Sequence, residues 1–255
     1  MTQPTFHDLS GASVFITGGG SGIGANLTEG FLRQGAKVAF VGRSDASAFV
    51  DRMEAETGNR PLFIQCDITD IAALQAAIAQ SAEAHGPIGV LVNNAANDQR
   101  HSTEDVTEEF WDWMQAINLK AYFFACQAVV KGMKDLGGGS IINFTSISYM
   151  MGGAGYPLYT TANSGLNGMT RSLAREFGPD KIRVNALAPG WVLTQKQLDK
   201  WADPVSLAAH MEKQCLKEHL EPDDIVSGTL FLASSASRMM TGQALVIDGG
   251  VAVTG

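Results

Sequence analysis

Cysteine and positive charge are both scarce in this chain. Its three cysteines, Cys66, Cys126 and Cys215, are far apart and odd in number, which excludes a disulfide framework and a Cys-x-x-Cys metal pair. Each is expected to be a small buried apolar residue. Eighteen Lys and Arg stand against 26 Asp and Glu, a formal charge of −8 with no basic run. No nucleic-acid partner is expected, because such a partner requires clustered cations to displace counterions. The five histidines (His7, His85, His101, His210, His219) form no i,i+4 pair around a carboxylate, so no metal is expected. His101 is left as a candidate for substrate contact. No apolar run approaches the roughly 20 residues of a bilayer span, and Met1 to Ser10 lacks a positive flank followed by an apolar core. The expectation is a soluble, cytoplasmic protein with no membrane partner.

With 255 residues, 45% hydrophobic and 17% charged, the chain suits one α/β domain over 1–255. Seven short β-branched runs recur, at Val14 to Ile16, Val38 to Val41, Leu62 to Ile64, Val90 to Val92, Ile141 to Phe144, Val184 to Leu187 and Leu245 to Ile247. Each reads as a strand buried on both faces. Helical patterns lie between them, among them Leu27 to Arg33, Ile71 to Ala84, Phe110 to Met133, Ala162 to Phe177 and Asp224 to Leu232. That alternation predicts a doubly wound parallel sheet of the Rossmann kind, about seven strands with helices on both faces. One long interruption, about 190–221, carries Trp191, Trp201 and Leu198. The amphipathic pattern from Pro204 to Leu216 predicts an ordered substrate lid.

Between Thr17 and Gly24 the chain reads Thr-Gly-Gly-Gly-Ser-Gly-Ile-Gly, after an apolar run and before an amphipathic stretch. Glycine lets backbone N–H groups approach a pyrophosphate, and the positive end of the following helix favours the anion. A nucleotide cofactor is the expectation. Farther on, Ser146 follows a strand and Tyr159 opens a helix. A hydride transfer needs a group to exchange the hydroxyl proton, which a phenol with a lowered pKa can do, with the serine hydroxyl on the same oxygen. The same two residues could equally end a strand and pack.

These features, in order, resemble the short-chain dehydrogenase/reductase family from end to end. The family's Thr-Gly-x-x-x-Gly-x-Gly turn falls at Thr17, Gly18, Gly22 and Gly24, and its Asn-Asn-Ala-Gly segment at Asn93 to Ala96, with alanine in place of the last glycine. Its helix asparagine is Asn118, its serine Ser146, its tyrosine Tyr159, its Pro-Gly Pro189 and Gly190, and its closing Asp-Gly-Gly Asp248 to Gly250. The resemblance implies hydride transfer between a nicotinamide cofactor and a substrate. It places cofactor contacts at Gly18, Ser21, Gly22, Ile23, Gly24, Asp67, Ile68, Asn94, Pro189, Gly190, Val192 and Thr194. Asp67 would meet the adenine or else cap the next helix, Asn93 would brace the central sheet, and Thr194 would bond the carboxamide or cap a helix. One position departs from the family: the lysine four residues after the tyrosine is Asn163, which keeps hydrogen bonding and loses the charge that lowers the phenol's pKa. A natural variant with a modified proton path, an engineered inactivation and a member that binds without turnover all fit that residue.

At the end of the second strand there is no carboxylate to select the ribose diol, and Arg43 is placed to clamp a phosphate. This points to NADP, with NAD open through Asp45. The polar run Asn97-Asp98-Gln99-Arg100-His101 suits a polyhydroxylated substrate, or equally a solvated loop. Together with Gln214-Cys215-Leu216-Lys217 it resembles aldose 1-dehydrogenases of the xylose dehydrogenase type, which oxidise a sugar to its lactone. Asn97, His101, Ser148 and Trp191 are the candidate substrate contacts, with Met150 and Met151 as apolar walls. An oxoacyl or ketone reductase and a cofactor-binding protein without turnover are the alternatives. The apolar circumference of Phe110 to Met133 and Ala162 to Phe177 and the C-terminal Val251 to Gly255 imply, through the family, a homotetramer.

Overall fold

The computed structural model describes residues 4–200 and 202–253. The expectations that touch Met1, Trp201, Thr254 and Gly255 lie outside the described residues. In chain order the elements are β1 (Ser13–Thr17), α1 (Gly22–Arg33), β2 (Lys37–Gly42), α2 (Ser47–Thr57), β3 (Leu62–Gln65), α3 (Ile71–His85), β4 (Val90–Asn93), α4 (Glu108–Gln115), α5 (Ala121–Asp135), β5 (Gly139–Phe144), α6 (Pro157–Phe177), β6 (Ile182–Pro189), α7 (Gln195–Lys200), α8 (Pro204–Lys213), α9 (Pro222–Ala233) and β7 (Ala244–Ile247). The strands are all parallel, in the order β3-β2-β1-β4-β5-β6-β7. This is the doubly wound sheet expected from the alternation of runs.

Successive side chains on each central strand enter different cores. Val14 and Ile16 of β1 join Leu27 and Phe31 of α1 and Ile225 and Leu230 of α9, whereas Phe15 joins Leu74 of α3, Ala125 of α5 and Phe177 of α6. A strand covered on both faces has no polar side to display, and its sequence therefore reads as a continuous apolar run. The edge strands depart from that expectation: β3 and β7 are only partly buried, because helices cover the rim of the sheet less fully than its centre. Cys66 and Cys126 are buried as expected, but Cys215 is exposed. It lies in the excursion beyond both cores, and its thiol donates to the Gly250 carbonyl at 3.1 Å. No helix among the described residues is long and apolar enough to cross a membrane.

The single helix expected over Phe110 to Met133 is interrupted. A π-helical turn over Ala116–Lys120 separates α4 from α5, and the Asn118 side chain donates to the Met114 carbonyl at 2.9 Å, the acceptor that its own N–H would take in a regular helix. Side-chain competition for the helix ladder, with one residue accommodated as a bulge, is a recurring cause of such turns.

The excursion between β6 and α9 is closed at its base. Val192 pairs with Leu220, and the Leu193 N–H donates to the Leu220 carbonyl at 2.8 Å. Between those anchors, α8 starts at an Asp203 carboxylate that accepts from the N–H groups of Val205 and Ser206 at 3.0 and 3.1 Å, an N-cap that satisfies two donors otherwise left free. Within α8 no residue is fully buried.

Candidate active site

The carboxyl ends of the strands open into one cleft of about 1050 Å³, where a ligand of a doubly wound sheet is expected. Its floor is the turn between β1 and α1. Gly18 has a φ of +71°, and a Cβ on Gly24 would lie 1.9 Å from the Gly18 carbonyl oxygen. Glycine is thus required twice, once for conformation and once for the approach of helix to turn. Ser21 precedes α1 with no side-chain cap, so the first N–H groups of the helix are left for an anion. Ser21, Gly22 and Ile23 line the cleft beside them. Asn94 holds the turn, its amide donating to the carbonyls of Thr17 and Gly18 at 3.0 and 3.2 Å. Asn93 is fully buried and braces the sheet by donating to Asn143 at 2.9 Å. These features fit a dinucleotide.

At one end of the cleft lie Arg43, Asp67 and Ile68. Among the described residues the Arg43 guanidinium forms no hydrogen bond or ion pair. Asp45 is occupied differently: its carboxylate accepts from the N–H and hydroxyl of Ser47 at 3.1 and 2.6 Å, which holds it below the usual carboxylate range. Asp67 accepts from Thr69 at 2.8 and 3.0 Å. It does not cap the following helix; Asp70 does, accepting from the Ala73 N–H at 3.0 Å.

At the other end, Ser146 follows β5 and its hydroxyl accepts from the Ser148 N–H at 3.1 Å. Tyr159 stands in the first turn of α6, in the same cleft. Burial pushes its phenol up to about 12, and the Asp98 carboxylate adds to that rise. Hydrogen bonds to Asn163 and Ser146 pull the other way. Asn163 is buried and does not line the cleft; its amide donates to the main-chain carbonyl of Tyr159 at 2.8 Å. Asn118 is also buried away from the cleft. It accepts from the Asn97 N–H at 2.8 Å and donates to the Asn97 carbonyl at 3.0 Å, so it fixes the loop after β4 through both backbone groups of one residue. The Ser148 hydroxyl is buried beside the cleft with no partner among the described residues.

The loop after β4 and the excursion meet across the opening. Lys196 pairs with Asp98 at 2.6 Å, and Gln197 donates to the other Asp98 oxygen at 3.0 Å. Burial opposes ionisation of Asp98, yet the Lys196 ammonium together with the Gln197 hydrogen bond holds the carboxyl below its ordinary value. Trp191 donates its indole N–H to Gln197 at 2.9 Å, and Thr194 accepts from the Gln197 N–H at 3.3 Å, which makes Thr194 a cap for α7 as well as a cleft residue. Arg100 lies over the Tyr156 ring at 3.7 Å, and that ring is 5.8 Å from Tyr159.

Asn97, Pro189, Gly190 and Val192 line the cleft; His101 does not. Its ring sits 5.1 Å from Phe110 and meets the Gln99 carbonyl and the Leu158 N–H, so it fastens the loop to the start of α6. Met151 lines the cleft and Met150 does not, since adjacent residues of that short helical turn point apart. Reading the chain alone misses Asp98, Lys196, Gln197, Ser206 and His210 as cleft residues. Only the polarity of the Asn97 to His101 run hinted at the first of them. Among the described residues no group of three potential metal ligands is assembled.

Comparison with known proteins accords with this geometry. The family described as enoyl-(acyl carrier protein) reductase matches residues 18–252. The chain is 49% identical to the "Probable galactose dehydrogenase GalD" of Rhizobium meliloti (strain 1021), over 98% of this chain and 100% of that protein. It is 44% identical to a D-xylose 1-dehydrogenase of Caulobacter vibrioides (strain NA1000 / CB15N), over 98% and 99%. Among solved structures, a blue fluorescent protein from a metagenomic library, in complex with NADPH, superposes with a TM-score of 0.88 at 36% identity, covering 96% of this chain and 99% of that one.

Proposed function

The chain belongs to the short-chain dehydrogenase/reductase family of nicotinamide-dependent oxidoreductases, and from that premise we propose that it oxidises an aldose, a pentose or hexose, at C1 to the lactone with NADP. The observation that carries the reading is that Tyr159 and Ser146 line the same cleft as the glycine turn. Bound nicotinamide supplies the acceptor for the C1 hydride. The chain handles the proton: the phenolate of Tyr159 receives it from the C1 hydroxyl while Ser146 hydrogen-bonds the same oxygen. Asn163 keeps its amide on the Tyr159 main-chain carbonyl and brings the phenol no positive charge, and Asn118 is a positioning residue acting through Asn97.

For the cofactor, Gly18, Gly22 and Gly24, with Ser21, Ile23 and Asn94, form the pyrophosphate cradle. Asp67 and Ile68 flank the adenine, and Pro189, Gly190, Val192 and Thr194 border the nicotinamide. NADP over NAD is supported by the unpaired Arg43, by an Asp45 already engaged by Ser47 and by the NADPH-bound relative. Isotherms for both cofactors test this choice, and tighter NAD binding would overturn it.

An aldose is supported by the polar walls, Asn97 and the unpartnered Ser148 hydroxyl among them, and by the sugar substrates in the names of relatives at 49% and 44% identity. An oxoacyl or ketone reductase draws its support from the description of the matching family, enoyl-(acyl carrier protein) reductase. Binding without turnover draws its support from Asn163. The deciding experiment follows formation of reduced nicotinamide with D-galactose and D-xylose, in the native protein and in Tyr159→Phe. Tight cofactor binding with no hydride transfer to any aldose would defeat the enzyme reading, while loss of about 10²- to 10⁴-fold in Tyr159→Phe is the expected result.

The chain is one catalytic domain whose segment 190–221 serves as the substrate lid. Phe123 and Trp111 are exposed on α5 and α4, which supports assembly into a homotetramer through those helices; light scattering checks it. Three free thiols suit the reducing cytoplasm.

A further inference from the structure

Two residues of the lid helix α8 reach the cleft, Ser206 and, one turn later, His210. Spacing of i and i+4 puts them on one face. Ser206 is spent on its own helix, donating its hydroxyl to Asp203. His210 is different. Its Nε2 is buried and has no hydrogen-bond partner among the described residues, a state that costs stability unless something else supplies the bond.

The residues around that ring are held in place. Gln214, one turn on, is buried and its Nε2 donates to the carbonyls of Leu216 and Glu218. A neutral imidazole with its proton on Nδ1 presents a lone pair at Nε2. Gln214 is itself wedged against Gly249, where a Cβ would come within 2.6 Å of it. The His210 ring meets Trp191 edge-on, with centroids 5.3 Å apart and planes at 88°, and Gln197 fixes Trp191. The result is an aromatic wall of the cleft that carries a ring nitrogen with no partner among the described residues. A pyranose matches it, with C–H groups that pack on an indole and hydroxyls around its rim that donate.

We propose that His210 is a sugar-recognition residue, its Nε2 accepting a hydrogen bond from an aldose hydroxyl other than that at C1, with Trp191 as the adjoining wall. This rests on the aldose dehydrogenase reading above. The test is steady-state kinetics of the native protein, His210→Phe and His210→Gln with D-galactose, D-xylose and a set of their monodeoxy analogues, each with NADP isotherms and a thermal melt. His210→Phe keeps a ring against Trp191 and removes the acceptor. It is expected to raise KM for the aldose about 10-fold with kcat nearly unchanged, and His210→Gln, which retains an acceptor, recovers part of that loss. One deoxy sugar should be poor for the native protein and no poorer for His210→Phe, identifying the hydroxyl. An unchanged KM in His210→Phe, or an equal deoxy penalty in both proteins at every position, overturns the assignment while leaving aldose oxidation intact. Failure of the native protein to oxidise any aldose overturns both.

Discussion

Asn163 donates its side-chain amide to the main-chain carbonyl of Tyr159, one turn earlier on α6, at 2.8 Å. A residue that could reach a ribose hydroxyl instead spends a proton on its own helix, and Asn167 repeats the pattern by donating to the Asn163 carbonyl at 2.8 Å. Asn163 therefore brings no positive charge to the phenol. Asn163→Lys is expected to move the ascending limb of the log kcat/KM profile, where the phenolate forms, to lower pH and to raise activity near neutrality by about 10-fold per unit by which the pKa falls. Profiles of the two proteins under matched cofactor saturation check this, and an unmoved limb would count against the proton path through Tyr159.

Asp98 raises the same phenol from the other side of the cleft. The sign follows from charge: a nearby carboxylate disfavours a phenolate, so Asp98→Asn lowers the Tyr159 pKa and shifts the limb down. Lys196, released from its partner, adds to the shift. Opposite movement of the limb would show that the latch to α7 matters more than the charge.

The raised pKa also links Tyr159 to stability. Its folded pKa of about 12 lies above the ordinary value of 10.0. Its contribution is therefore complete below pH 10 and is lost as pH climbs through 12, where only the unfolded chain has released the proton at first. Tyr159→Phe removes that part of the alkaline decline in Tm, which a series of melts in alkaline buffers would record.

Arg43→Ala should weaken NADP binding by about 10- to 100-fold, the loss of a charge-assisted bond to phosphate, and leave NAD binding unchanged. Titration calorimetry with both cofactors distinguishes this from general damage to the cleft.

Gly24→Ala places a Cβ 1.9 Å from the Gly18 carbonyl, and backbone must move to admit it. A loss of about 1–3 kcal/mol in stability is expected, together with weaker cofactor binding, read from denaturant melts and isotherms of one preparation.

The order of runs in the sequence was enough to specify the sheet. Strands such as β1 and β4 are buried on both faces, and their composition records it directly. The glycines at 18 and 24, the serine after β5 and the tyrosine opening α6 were legible for a similar reason: each meets a local requirement of turn, strand end or helix start. Contacts between distant segments left no such record. Neither the pairing of Asp98 with Lys196, 98 residues apart, nor the turning of His101 toward Phe110 could be read from neighbours in sequence. Nor could the π turn at Asn118, which depends on one side chain competing for a helix carbonyl. Periodicity and residue type fix what the backbone does nearby, whereas the contact of His210 with Trp191 exists only because folding brings α8 to the cleft at the ends of the strands.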